Sequence, residues 1–234
     1  MTSEMIKDLL FPPRCPVCDE PTGGCGRYIC RECFKKLRFI KEPYCLKCGK
    51  ALTDESEYCR DCTNRVHFYN RGVSVFEYGS ISDSLFRFKN KGRAEYAGFY
   101  ARAMVERHKD FIRAVDPDAL IPVPIHRSKL LKRGYDQSLL LCKEISNLTK
   151  IPVNDQLILR SKKTVPLKEL GLKERQINLK GAFKIGTDDV KLKTIMIVDD
   201  IYTTGSTIDE ISRTILADFP CEIYFITLTV GRGI

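Results

Sequence analysis

From Ile195 to Val198 four apolar residues follow one another without a polar break, the pattern of a short strand buried on both faces. Beyond a hydroxyl-rich turn, Ile208, Ile211, Ile215 and Leu216 recur at helical spacing, so a strand over 193–199 feeds an amphipathic helix. Upstream, residues 71–79 alternate apolar and polar side chains, as an edge strand does. Leu85, Phe86 and Phe88 predict a helix capped by Ser82 or Asp83 and ending in the turn from Lys89 to Arg93. A longer helix over about 95–110 follows, with Tyr96, Phe99, Tyr100, Ala103 and Met104 facing inward. Residues 118–125 predict a buried strand with prolines near its end, and 126–137 a cationic loop. A helix over 139–149, a strand over 153–160 and a last strand over 222–230 complete the pattern. Alternation of strands and helices predicts an α/β domain around a mostly parallel sheet.

The first seventy residues break this rhythm. They hold little apolar periodicity and four Cys-x-x-Cys pairs: Cys15/Cys18, Cys30/Cys33, Cys45/Cys48 and Cys59/Cys62. Two thiolates three residues apart grip one face of a Zn²⁺ tetrahedron, and a second pair closes it. Pairing in sequence order predicts two structural zincs, held by Cys15, Cys18, Cys30, Cys33 and by Cys45, Cys48, Cys59, Cys62; an interleaved arrangement is the alternative. Gly49 suits the tight turn after Cys48, Cys25 is a competing ligand, and Cys142 and Cys221 read as buried thiols. The expected organisation is a double zinc ribbon over 1–70 followed by the α/β domain over 71–234.

Among the 234 residues no apolar run approaches a membrane span, and Leu9 to Phe11 is too short for a signal-peptide core. Eleven cysteines without a secretion signal therefore favour metal ligands in a reducing compartment. The expectation is a cytoplasmic protein with no membrane insertion.

The formal charge of +9 is uneven: residues 87–133 hold 12 Lys/Arg against 5 Asp/Glu. Residues 160–180 add seven basic against two acidic residues. Such surfaces suit phosphates, of a small ligand or of nucleic acid. The 126–137 loop follows a core strand, where open α/β sheets bind ligands, and its arginines offer bidentate contacts to a pyrophosphate. The Lys89–Arg93 turn is either a second phosphate contact or a charged helix end closed by Gly92. His126 is expected to be structural.

Candidate chemistry concentrates at 195–207, Ile-Met-Ile-Val-Asp-Asp-Ile-Tyr-Thr-Thr-Gly-Ser-Thr. Adjacent carboxylates repel unless cations or sugar hydroxyls occupy them. Backbone amides of the small loop and the following helix terminus can hold a phosphate, with hydroxyls of Thr203, Thr204, Ser206 and Thr207 as further donors. A buried strand leading into an ordinary capped helix is the plainer alternative.

The 195–207 stretch resembles the binding signature of type I phosphoribosyltransferases for 5-phosphoribosyl 1-pyrophosphate (PRPP). Together with the cysteine ladder, Tyr78, Lys89–Arg93, Ile121–Arg127, Lys132–Gln137, Glu174–Asn178 and Gly181–Phe183, it makes the chain similar to the ComF (ComFC) family over most of its length. One departure is Leu167, three residues after Thr164, where the family usually carries Gln. The resemblance implies a double zinc ribbon followed by a phosphoribosyltransferase-like sheet. It implies natural competence and DNA uptake, with incoming single-stranded DNA handled after uptake and the ComFA DNA translocase and the recombination loader as partners. It also implies a site for PRPP with Mg²⁺. Carried over by position, Asp199 and Asp200 are the catalytic carboxylates, and Thr203, Thr204, Gly205, Ser206 and Thr207 hold the 5′-phosphate. Arg127 and Arg133 meet the pyrophosphate, with Lys89 and Arg93 as further cationic contacts. Two other functions fit the same residues: an active phosphoribosyltransferase of nucleotide salvage with an unidentified acceptor, and a zinc-ribbon adaptor without catalysis.

Overall fold

The cysteine ladder folds as two copies of one small unit. In a computed structural model that describes residues 12–22, 28–162, 172–186 and 192–231, each copy is a tight knuckle followed by one turn of helix. The knuckles close through the Asp19 amide to the Cys15 carbonyl and the Gly49 amide to the Cys45 carbonyl, both 2.8 Å. Each needs a left-handed residue, Asp19 at φ 64° and Gly49 at φ 72°. The short helices α1 (Arg31–Phe34) and α2 (Arg60–Thr63) start directly after Cys30 and Cys59. Cys25, Leu167 and residues 163–171 of the basic arm lie outside the described residues.

The larger unit is built on four parallel strands, in the order β1 (Arg71–Glu77), β6 (Glu222–Val230), β5 (Thr194–Tyr202) and β2 (Ala119–Pro122). Both faces are covered, which is why the strands are apolar without alternation. On one face α3 (Tyr78–Asn90), α4 (Tyr96–Val115) and α6 (Gln137–Thr149) bury Val73, Tyr100, Met104, Leu141, Met196 and Ile226. On the other, α8 (Ser206–Leu216), α7 (Leu172–Leu179) and the second ribbon bury Ile121, Ile195, Ile197, Ile211 and Phe225. A small antiparallel pair, β3 (Ile158–Arg160) and β4 (Phe183–Ile185), stands beside this face. No helix among the described residues is long and apolar enough to cross a membrane.

Several expected elements shift, each for a local reason. β1 is an edge strand as expected, but it is buried from Gly72 to Phe76 rather than alternating. The ribbons cover it: the Ile40 amide donates to the Val75 carbonyl (2.9 Å), and the Glu77 amide to the Arg38 carbonyl (2.8 Å). The unpaired edge of the sheet is thereby closed. α3 begins at Tyr78, ahead of the Ser82/Asp83 cap. The cationic 126–137 segment is not a loop: α5 (Arg127–Arg133) occupies it, with the His126 ring accepting from the Ser128 amide and Gly134 closing it at φ 84°. The 153–160 strand is reduced to a single bridge between Val153 and Leu120 plus the short β3. Asn154 interrupts it by accepting the amides of Gln156 and Leu157 in an Asx turn.

Candidate functional site

The cysteines form two clusters in sequence order, Cys15, Cys18, Cys30, Cys33 and Cys45, Cys48, Cys59, Cys62, with all sulfurs of each within 4.8 Å of one another. Cys18 and Cys30 lie 3.8 Å apart, Cys48 and Cys59 3.7 Å. Those are edges of a tetrahedron whose centre sits about 2.3 Å from each sulfur, the Zn–S distance. Four thiolates with no open position fit a structural zinc in each cluster.

The second site grows from the carboxyl end of β5, where open parallel sheets present ligand-binding residues. Asp199 accepts from the Ser138 hydroxyl (3.1 Å) in the first turn of α6 and from the Asp200 amide (2.9 Å). Burial, then the charge of Asp200, pushes the Asp199 carboxyl up to about 7, against the opposing pull of Lys89. Asp200 is paired with the Lys89 ammonium at 2.8 Å, from the last turn of α3. Arg160 interacts with the charge of Asp199 and Lys129 with that of Asp200, while Arg133 lies near enough to Lys129 to act on it. Burial pushes the Arg160 guanidinium below its ordinary range, with Asp199 opposing, while its plane lies 5.2 Å from the Phe183 ring. Desolvation, then Arg160, Arg133 and Lys89, lower Lys129. Arg133 donates to the Gln137 side chain at 2.6 Å. Asp136 organises the backbone beneath them by accepting the amides of Leu139 and Ile125.

The turn after β5 is compact. The Thr204 and Ser206 hydroxyls, both buried, lie 2.9 Å apart. Gly205 enters α8 at φ 79°, and a Cβ there would fall 2.7 Å from the Tyr202 hydroxyl and 3.2 Å from the His67 ring. Only glycine makes this turn against that wall. The wall is shared between the sheet and the segment after the second ribbon: the Tyr69 and Tyr202 hydroxyls share a hydrogen bond of 2.8 Å, and Tyr202 of β5 stacks on Phe225 of β6 at 5.0 Å.

The structure thus gathers Asp199, Asp200, Lys89, Arg133 and the Thr203–Thr207 turn around the end of one strand. Arg127 opens α5 on the exposed side. Arg93 is placed elsewhere, 2.7 Å from the Asp19 carboxylate of the first knuckle. Sequence reasoning assigned no role to Ser138 or His67; it placed Asp136 only within the Lys132–Gln137 motif, Lys129 only among the cations of the 126–137 loop, and Arg160 only in the basic 160–180 arm. For Asp136 a signal existed, an N-cap residue three positions before Leu139 at the head of an apolar run. For Arg160 and His67 none did, because their neighbours come from distant segments.

Two four-cysteine clusters on tandem knuckles, docked along a parallel α/β sheet that ends in paired aspartates, define a double-zinc-ribbon α/β protein. The family model for the double zinc ribbon domain matches residues 6–63. Competence protein F of Haemophilus influenzae is 30% identical over 191 residues, which cover 79% of this chain and 82% of that protein. The chain belongs to the competence protein F family. DNA utilization protein YhgH of Escherichia coli K12 is 29% identical over 212 residues, covering 89% of this chain and 92% of that one. Competence protein ComFC of Bacillus subtilis is 26% identical over 201 residues, covering 80% and 78%. Among solved structures, hypoxanthine phosphoribosyltransferase of Trypanosoma cruzi superposes with TM-score 0.37 at 17% identity, over 59% of this chain and 67% of that one. Adenine phosphoribosyltransferase of Leishmania tarentolae does so with TM-score 0.36 at 16% identity, over 70% and 80%.

Proposed function

We propose that the end of β5 is a PRPP site in a protein that handles single-stranded DNA during DNA uptake. The observation that carries the PRPP part is the Asp199–Asp200 pair with Lys89 at 2.8 Å, set immediately before a glycine turn that opens α8. Neighbouring ribose hydroxyls donate to the two carboxylates, and the 5′-phosphate takes the amides and hydroxyls from Thr203 to Thr207. Lys89, Lys129, Arg133 and Arg160 then face the pyrophosphate, with Arg127 at the rim. Asp199 and Asp200 are the residues that would help hold Mg²⁺, which would supply charge neutralisation for the pyrophosphate. In ribosyl transfer the C1–pyrophosphate bond breaks through an oxocarbenium-like state as an acceptor nucleophile, such as a base nitrogen, bonds to C1 from the opposite face; pyrophosphate leaves, and these cations stabilise its charge.

The DNA part is supported by the names of the relatives, competence proteins and DNA utilization proteins. The formal charge of +9 suits a polyanionic partner. The ComFA translocase and the recombination loader are the proposed neighbours on that route, and the cytoplasm the proposed place.

Calorimetric titration of PRPP with Mg²⁺ into the zinc-loaded protein tests the site. We expect saturable binding that Asp199→Asn and Asp200→Asn each weaken at least tenfold. Wild-type protein that takes up no PRPP in this titration would overturn the assignment.

A further inference from the structure

A cavity of about 520 Å³ lies between the first ribbon and α4, and none of the residues around Asp199 and Asp200 lines it. Its volume falls in the range of small-ligand pockets, about 300–1,000 Å³. Phe39 and Phe99 form the floor, both resting on the core ring of Phe76 at 5.0 and 6.2 Å. Tyr28 and Phe34 stand at the sides, 38% and 51% exposed although aromatic. The rim carries three cations, Lys41, Arg102 and Arg107, against one carboxylate, Glu106.

The ring positions are built rather than incidental. Tyr28 lies two residues before Cys30, and Phe34 directly follows Cys33, so the first cysteine cluster fixes both. Gly98 of α4 leaves room for the Tyr28 ring beside the helix; a Cβ there would come within 3.0 Å of the ring. The Arg102 guanidinium sits 5.2 Å from the same ring, leaving a planar cation beside an aromatic face. Arg87 donates to the carbonyls of Pro16 and Val17 at 2.9 and 2.7 Å, which ties the first ribbon to α3.

We infer that this groove is a stacking site for an unpaired base of a single-stranded nucleic acid, with the rim cations on the flanking phosphates. The inference rests on the DNA-handling reading and assigns that function a place. Exposed rings beside cations match the chemistry of single-strand recognition, in which stacking is sequence-tolerant and charge follows the backbone. A duplex keeps its base faces inside the stack and offers the groove phosphates alone. The proposal gives the first zinc a purpose: it holds Tyr28 and Phe34 in one platform.

The test is fluorescence anisotropy of a labelled oligo-dT with the full-length, zinc-loaded protein, against the same length of duplex. Tyr28→Ala and Phe34→Ala are each expected to weaken oligo-dT binding by about 5- to 100-fold, the effect of losing one stacked ring. Arg102→Glu is expected to flatten the salt dependence. PRPP affinity stays unchanged in all three. As a second readout, an oligonucleotide carrying 5-iododeoxyuridine is photocrosslinked to the unmodified protein; the adducts are expected on Tyr28 or Phe34. Oligo-dT affinity unaffected by both ring deletions, or crosslinks elsewhere, overturns the groove alone and leaves it to a protein segment. Wild-type protein that binds no oligonucleotide at low salt removes the DNA-handling reading and the groove together.

Discussion

The Nδ1 atom of His67 lies 2.8 Å from the Asp209 carboxylate, joining the end of the second ribbon to the first turn of α8. The other Asp209 oxygen accepts the Phe68 amide at 3.1 Å. The proposed phosphate turn is therefore framed on one side by the α/β sheet and on the other by a segment whose path depends on the second zinc.

That frame would make the proposed phosphate binding sensitive to a zinc that touches no ligand. Asp209→Ala is expected to destabilise the protein by about 1–3 kcal/mol, since the Phe68 amide and the buried His67 ring lose a charged partner. The same change should lower PRPP affinity although Asp209 does not face the ligand. Thermal melting and calorimetry measure the two effects. Full PRPP affinity in Cys45→Ser protein that retains a single zinc would show the frame to be dispensable.

The Asp199 carboxyl, raised to about 7 by burial and by Asp200, gives opposite signs for stability and binding. Its folded-state pKa lies above the unfolded value, so its contribution is present at acid pH and lost as pH rises through 7. Asp199→Asn should therefore raise stability at pH 8, by up to about 4 kcal/mol, while weakening PRPP binding. In wild-type protein PRPP affinity should climb with pH through 7 as the carboxylate forms. Lys89→Met removes the cation that holds Asp199 down and should move that midpoint upward. Calorimetric titrations between pH 6 and 9 read both shifts.

His108 is buried at a kink in α4, with its Nε2 3.1 Å from the Ser74 carbonyl. Burial lowers it to about 4, and Arg107 and Arg71 oppose its charging further. The unfolded chain takes up this proton near pH 6.5, so stability is lost as pH falls from there through 4, by about 3 kcal/mol. Urea unfolding at pH 7 and pH 4.5 should show a smaller difference for His108→Gln than for wild type. An equal difference would assign the acid sensitivity elsewhere.

Arg93 pairs with Asp19 at 2.7 Å, and the same carboxylate accepts from the buried Tyr96 hydroxyl at 2.5 Å. Asp19→Asn keeps the left-handed knuckle, which Asn tolerates, but removes the charge. We expect a loss of about 1–3 kcal/mol and faster zinc exchange from the first cluster, with PRPP affinity unchanged. A drop in PRPP affinity would show that the ribbon and the site communicate through Arg93.

What was legible in the sequence is what spacing alone can enforce. Four Cys-x-x-Cys turns in tandem announce two four-sulfur sites, because each knuckle orients two sulfurs; that the next pair along the chain, not an interleaved one, completes each tetrahedron was settled by the tertiary structure. The strand of Ile195–Val198 and the bounds of β6 followed from apolar runs that only a sheet covered on both faces tolerates. The aspartate pair ahead of a glycine turn was equally local, but the strand expected to stop at Asp199 runs on through Asp200 to Tyr202. Tertiary packing decided the rest. The helix of Arg127–Arg133 depends on a cap from His126, a weak signal beneath two prolines and a glycine. Arg93 left the neighbourhood of Lys89 because Asp19, 74 residues away, holds it against the first knuckle. The approach of Arg160 to Asp199 and the contact of His67 with Asp209, 142 residues apart, have no trace in any window of sequence. Short-range periodicity encodes which side chains are buried and which turns are possible; the meeting of distant side chains is set by how the finished elements dock, and that is where the site acquires its charge balance.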